Sequence, residues 1–113
     1  MTDDLRAMLG QVSVATLTTV LFKRGLRNQL IQGVRPLSRG SERVVGPAYT
    51  ARTIPAREDK ATPALLADKS YPQRAAIEEA PAGSVVVIDS RQDARAASGG
   101  DILMARLQAR GVA

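Results

Sequence analysis

Val85-Val86-Val87-Ile88 is an unbroken apolar run, closed by Ser84 on one side and Asp89 on the other. A strand with one wet face alternates in polarity. A continuous β-branched run belongs instead to a strand covered on both faces, as in parallel sheets flanked by helices. The surroundings agree with that reading. Ala80-Pro81-Ala82-Gly83 breaks the chain before the run, and a polar loop over 90–98 follows it. From Gly99 the pattern turns helical, with Ile102, Leu103 and Leu107 expected inward, Arg106 and Arg110 near the carboxyl end, and Gly111 as the stop.

A second strand is predicted over 43–54, with Tyr49, Ala51 and Thr53 on one face and Thr50, Arg52 and Ile54 on the other. Gly46-Pro47 implies a bulge, a bend or an edge position there, and Pro55 ends the segment. Upstream, Val14, Leu17 and Leu21 recur at helical spacing, which predicts a helix over 12–24 stopped by Gly25. Residues 26–31 extend or follow that helix, Val34-Arg35-Pro36-Leu37 reads as extended, and 38–41 as a turn. Residues 57–60 form a solvated loop. Helical pieces over 63–68 and 72–79 each open on a proline suited to a first turn. Strands alternating with helices make the class α/β, and 113 residues suit a single domain over 1–113.

Absent residue types narrow the chemistry. The chain has no Cys, so it has no disulfide, thiolate nucleophile or cysteine zinc site. It has no His, hence no Ser-His triad, imidazole base or imidazole ligand. A metal would need oxygen ligands and would be a hard ion. Acid–base work falls to carboxylates, Lys, Tyr or metal-bound water. The net charge of +5 suits an anionic partner, yet Arg24, Arg27, Arg35, Arg39 and Arg43 are scattered rather than interleaved with aromatics, which argues against nucleic acid. No apolar run has the length to span a bilayer, and Met1-Thr2-Asp3-Asp4 lacks the basic start of a secretory signal, so a soluble, cytoplasmic protein without membrane partners is expected.

Gly99-Gly100-Asp101-Ile102-Leu103 is the leading site candidate. A strand, a polar loop, a glycine pair and a helix start form the arrangement in which α/β sheets bind ligands beyond their carboxyl ends. Without side chains on the glycines, a carboxylate or phosphate can reach the N–H groups of Asp101, Ile102 and Leu103. The helix dipole adds on the order of 0.3–1 kcal/mol for such an anion. Asp101 opposes it, since its own carboxylate favours the helix start and repels an anion unless a cation lies between them. A bare tight turn with Asp101 as a first-turn acid is the other reading. Asp93 is a possible metal ligand or a solvated loop acid. Arg52 is a partner for a substrate carboxylate or a protective strand-edge charge, and Glu78 with Glu79 reads as a solvated helix face.

Four blocks in order extend the pattern: Arg35-Pro36-Leu37 with Gly40; Val45-Gly46-Pro47-Ala48-Tyr49-Thr50-Ala51-Arg52; Pro81-Ala82-Gly83-Ser84-Val85-Val86-Val87-Ile88-Asp89; and Gly99-Gly100-Asp101-Ile102-Leu103 with Arg110-Gly111-Val112-Ala113. Together, from about Val14 onward, they resemble the RraA-like family of ribonuclease-activity regulators and 4-hydroxy-4-methyl-2-oxoglutarate aldolases. The resemblance implies a swivelling β/β/α sandwich, a homotrimer with sites between subunits, and in the enzyme branch a divalent Mg²⁺ or Mn²⁺ holding a pyruvate-like 2-oxo acid. It carries carboxylate binding over to the backbone of Gly100, Asp101, Ile102 and Leu103, with Asp101 as the catalytic assignment near the metal's water shell.

The activity implied is a class II pyruvate aldolase with oxaloacetate decarboxylation as a side reaction; a non-enzymatic regulator that binds a ribonuclease is the alternative, and an inactive trimerising module a third. Two departures accompany the likeness. Thr18-Thr19-Val20-Leu21 stands where many members carry a Ser-Asp-Ala-Leu-like segment. The family's metal-binding Asp and the Arg before it are expected downstream of Ala113, so the 113-residue chain alone is expected to be incomplete, a strand short and catalytically impaired.

Overall fold

The computed structural model describes residues 1–37, 43–95 and 97–113, which fall into two compact units, Met1–Val45 and Gly46–Ala113. The turn expected over 38–41 lies outside the described residues.

The first unit holds two helices, α1 (Asp3–Gln11) and α2 (Val14–Lys23), bent by 106° at the break between them. Thr2 caps α1, its hydroxyl accepting the Leu5 N–H at 3.3 Å, and Asp3 and Asp4 favour the positive end of the dipole. Ser13 caps α2 in the same way, accepting from Thr16 N–H at 3.1 Å. The helix expected over 12–24 therefore starts two residues later, behind a helix the apolar spacing did not disclose. Gly25 stops α2 as expected. At φ 84° it lets its own N–H reach Phe22 O and the Leu26 N–H reach Leu21 O, a Schellman closure. Residues 26–31 contain no helix, contrary to one expectation, and Asn28 at φ 56° is incompatible with helical continuation. Arg43 ties the return segment to the first helix, donating to Gly10 O at 2.8 Å and Val12 O at 2.9 Å.

The second unit runs β1 (Ala48–Arg52), α3 (Pro63–Ala67), α4 (Pro72–Glu79), β2 (Val85–Asp89) and α5 (Asp101–Ala109). The strands pair in parallel, in a register running from Ala48↔Val85 to Arg52↔Asp89. β1 is shorter than the predicted 43–54 but keeps the predicted faces, with Tyr49, Ala51 and Thr53 half-buried and Thr50, Arg52 and Ile54 exposed. Pro63 and Pro72 each stand at a helix start, where the missing N–H costs no intrahelical bond.

A small core of Ile77, Ala80, Leu107 and Val112 lies between α4 and α5, joined by Tyr49, Val86 and Leu103. Val85, Val86, Val87 and Ile88 are half-buried, less covered than a strand enclosed on both faces, because Val86 alone of the four packs on that core. Gly46 is needed for close approach, since a Cβ there would lie 2.5 Å from Gly83 O. α5 ends in a second Schellman closure around Gly111 at φ 69°, which brings Val112 onto Leu107. Beyond it, Ala113 N donates to Ser84 O at 3.0 Å and Val86 N to Ala113 O at 2.7 Å, a parallel bridge on the β2 edge away from β1.

Candidate functional site

That bridge fixes where α5 begins. The chain leaves β2 at Asp89, passes through α5, and returns to lie beside Ser84 and Val86 at the start of the same strand. α5 therefore runs back along β2. Nine helical residues rise about 14 Å and five strand residues about 16 Å, so the α5 start stands level with the carboxyl ends of the strands. The helix-start amides and the residues closing β1 and β2 share one end of the second unit.

Gly100 is the N-cap of α5, at φ −98° and ψ 173°, an extended conformation open to any residue. A Cβ placed on it would meet nothing within 4 Å. Internal packing of the described residues does not demand glycine here, unlike at Gly46. At Gly99 a Cβ would meet only Met104 Cε, at 2.7 Å, the mobile end of a flexible side chain. Gln73 Nε2 on α4 donates to Ser98 O at 2.8 Å and anchors the segment leading into the glycine pair. Sequence spacing carried no sign of that anchor, because the two residues meet only in the fold.

Asp101 is exposed, and its Oδ1 accepts the Ile102 N–H at 2.9 Å. Of the amides expected to face an anion, that of Ile102 is thus occupied, while those of Asp101 and Leu103 have no partner among the described residues. Ile102 also corrects the expected inward face. Its side chain is 80% exposed, whereas Leu107 is 5% exposed and Leu103 half-buried. Positions 103 and 107 lie four apart on the helix face toward α4, and 102 is turned about 100° away.

At the strand ends Arg52 Nε lies 2.9 Å from Asp89 Oδ2, so the arginine considered for substrate carries an internal partner. Asp89 also accepts the Arg91 N–H at 2.8 Å, and Thr53 N donates to its carbonyl at 3.0 Å. Its carboxyl is held below the ordinary value, chiefly by the Arg91 amide bond, with partial desolvation opposing and the Arg52 hydrogen bond and the charges of Arg52 and Arg91 assisting. Asp93 is engaged by Arg95, whose Nε and NH2 donate at 2.9 and 2.8 Å, and its pKa falls mainly for that reason. Glu78 is exposed yet not merely solvated: Arg106 grips it with two bonds at 3.0 and 2.8 Å, and Arg110 lies 3.7 Å away. Glu79 faces Tyr49 OH at 3.5 Å. In α2, Thr18 and Thr19 both donate to Ala15 O at 2.9 Å.

Among the described residues no three Asp or Glu side chains converge as a metal site would require. Asp101 is the lone carboxylate at the α5 start, and one of its oxygens is already bonded. The described residues therefore supply no complete metal site by themselves.

A parallel two-stranded sheet with helices between and after its strands, and a glycine at the start of the last helix, defines an α/β protein. The chain belongs to the RraA-like family: the family model described as Aldolase/RraA matches residues 11–113. Comparison with curated proteins and with solved structures gives no match. No single helix among the described residues is long and apolar enough to cross a membrane.

Proposed function

We propose that the α5 start is the carboxylate-binding half of a 2-oxo acid site. We further propose that the whole protein is a class II pyruvate aldolase, acting on 4-hydroxy-4-methyl-2-oxoglutarate with oxaloacetate decarboxylation as a side reaction. Gly100 carries the reading: its Cβ position opens on unoccupied space beside the unbonded amides of Asp101 and Leu103. Glycine at such a position leaves room for a group from outside the chain. Family membership supports the substrate class.

The chain's own residues would do two things. The Asp101 and Leu103 amides hold the carboxylate next to the keto group and so orient the bond that breaks. Asp101, by turning away from Ile102 N–H, would release a third donor as the substrate arrives. Aldol cleavage and loss of CO₂ both leave a pyruvate enolate, so one cradle serves both reactions. A swivelling β/β/α sandwich, a homotrimer with sites between subunits and a Mg²⁺ or Mn²⁺ requirement belong to this proposal as well.

The test is pyruvate release from 4-hydroxy-4-methyl-2-oxoglutarate and from oxaloacetate by the whole protein, with and without added Mg²⁺. Turnover of both compounds is expected. Absence of turnover together with inhibition of a ribonuclease would replace the aldolase reading with the regulator one.

A further inference from the structure

Four arginines stand at or beyond the carboxyl ends of β1 and β2. Arg52 is paired with Asp89, Arg57 with Asp59 and Arg95 with Asp93. Arg91 is different: its backbone N–H is bonded to Asp89 Oδ1, and its guanidinium acts on Asp89 only through its charge, with no hydrogen bond or close ion pair among the described residues. It is exposed and held at φ 56°, with Gln92 following at φ 62°. Two consecutive non-glycine residues in the left-handed region are costly, and glycine would serve that turn better. The chain therefore keeps a long cationic side chain at a backbone position that glycine would fill with less strain, at the end of the sheet where α5 begins.

We infer that Arg91 is a specificity-determining residue, binding the second carboxylate of a dicarboxylic 2-oxo acid whose first carboxylate rests on the Asp101 and Leu103 amides. The inference rests on the site proposed above and adds the ligand's second charge. Arg52 cannot take that role without leaving Asp89, and Arg95 cannot without leaving Asp93. The Asp89 carboxylate near Arg91 already has Arg52 as its side-chain partner, which leaves the Arg91 fork available to an incoming carboxylate. Asp93, the other nearby loop acid, is likewise committed.

Arg91→Gly is the decisive variant, because it removes the guanidinium while relieving the backbone, so loss of binding cannot come from a broken turn. Calorimetric titration of the full chain with pyruvate and with 2-oxoglutarate separates the two carboxylates. The variant is expected to bind 2-oxoglutarate at least about tenfold more weakly and pyruvate within about twofold of wild type, with Arg91→Lys intermediate. Equal changes for both ligands, or none, would overturn the role of Arg91 while leaving the cradle standing. Failure of wild type to bind either ligand would overturn both.

Discussion

The Asp101 carboxylate is bonded to the amide of its own neighbour, Oδ1 accepting from Ile102 N–H at 2.9 Å. The acid thus occupies a donor that an incoming carboxylate would use, and its charge opposes that ligand. Asp101→Ala should tighten pyruvate binding several-fold while lowering turnover if the acid also takes part in proton transfer. Separate determination of the pyruvate Kd and of kcat for the whole protein checks both halves.

Two glycines of this chain predict opposite outcomes. A Cβ on Gly46 would press on Gly83 O at 2.5 Å, a backbone atom with little freedom to move. Gly46→Ala should cost about 1–3 kcal/mol, read as a lowered Tm. Gly100→Ala, which meets nothing within 4 Å, should leave Tm within about a degree or two, since its backbone is extended.

Leu107 and Val112 meet through the closure of α5 around Gly111 and form half of the buried core. Leu107→Ala should destabilise by about 2–3 kcal/mol, the low end of the range for a core leucine, because so small a cluster relaxes readily. Urea unfolding at fixed m-value is the measurement.

Asp68, Glu78, Asp89 and Asp93 all titrate below their ordinary values, held there by hydrogen bonds to Ser70, Arg106, Arg91 and Arg95 respectively. A carboxyl whose folded pKa is depressed contributes stability that is complete above its unfolded pKa and lost as pH falls toward its folded one. Stability should therefore be flat down to about pH 5 and decline through and below the ordinary values of 3.8 and 4.5. Glu78→Gln, which loses the Arg106 grip between α4 and α5, should show a shallower decline in a Tm series from pH 6 to 3.

Local signals carried much of this fold. The prolines at 63 and 72, the glycines at 25 and 111 and the Val85–Ile88 run mark features that neighbouring residues alone determine, and each lies where the pattern placed it. α1 was missed although Thr2-Asp3-Asp4 is a cap followed by first-turn acids, because its mixed polarity hid the helical period. The 26–31 segment was open to a helical reading because Asn28 adopts a left-handed conformation that its residue type permits but does not announce.

At the site, the glycine helix start was legible as a string. The Asp101–Ile102 bond, the Gln73–Ser98 anchor and the internal pairing of Arg52 were not, since each depends on rotamers or on residues distant in the chain. The outward turn of Ile102 belongs with them: which side of α5 is covered is decided by α4, not by the apolar residues of α5.

The most direct measurement is the response of backbone amides to pyruvate, followed by ¹⁵N–¹H NMR in wild type and in Gly100→Val. The cradle predicts the largest shifts at Asp101 and Leu103, a smaller one at Ile102, and loss of all three in Gly100→Val with its Tm unchanged. Pyruvate shifts centred elsewhere, or equal shifts in the variant, would contradict it.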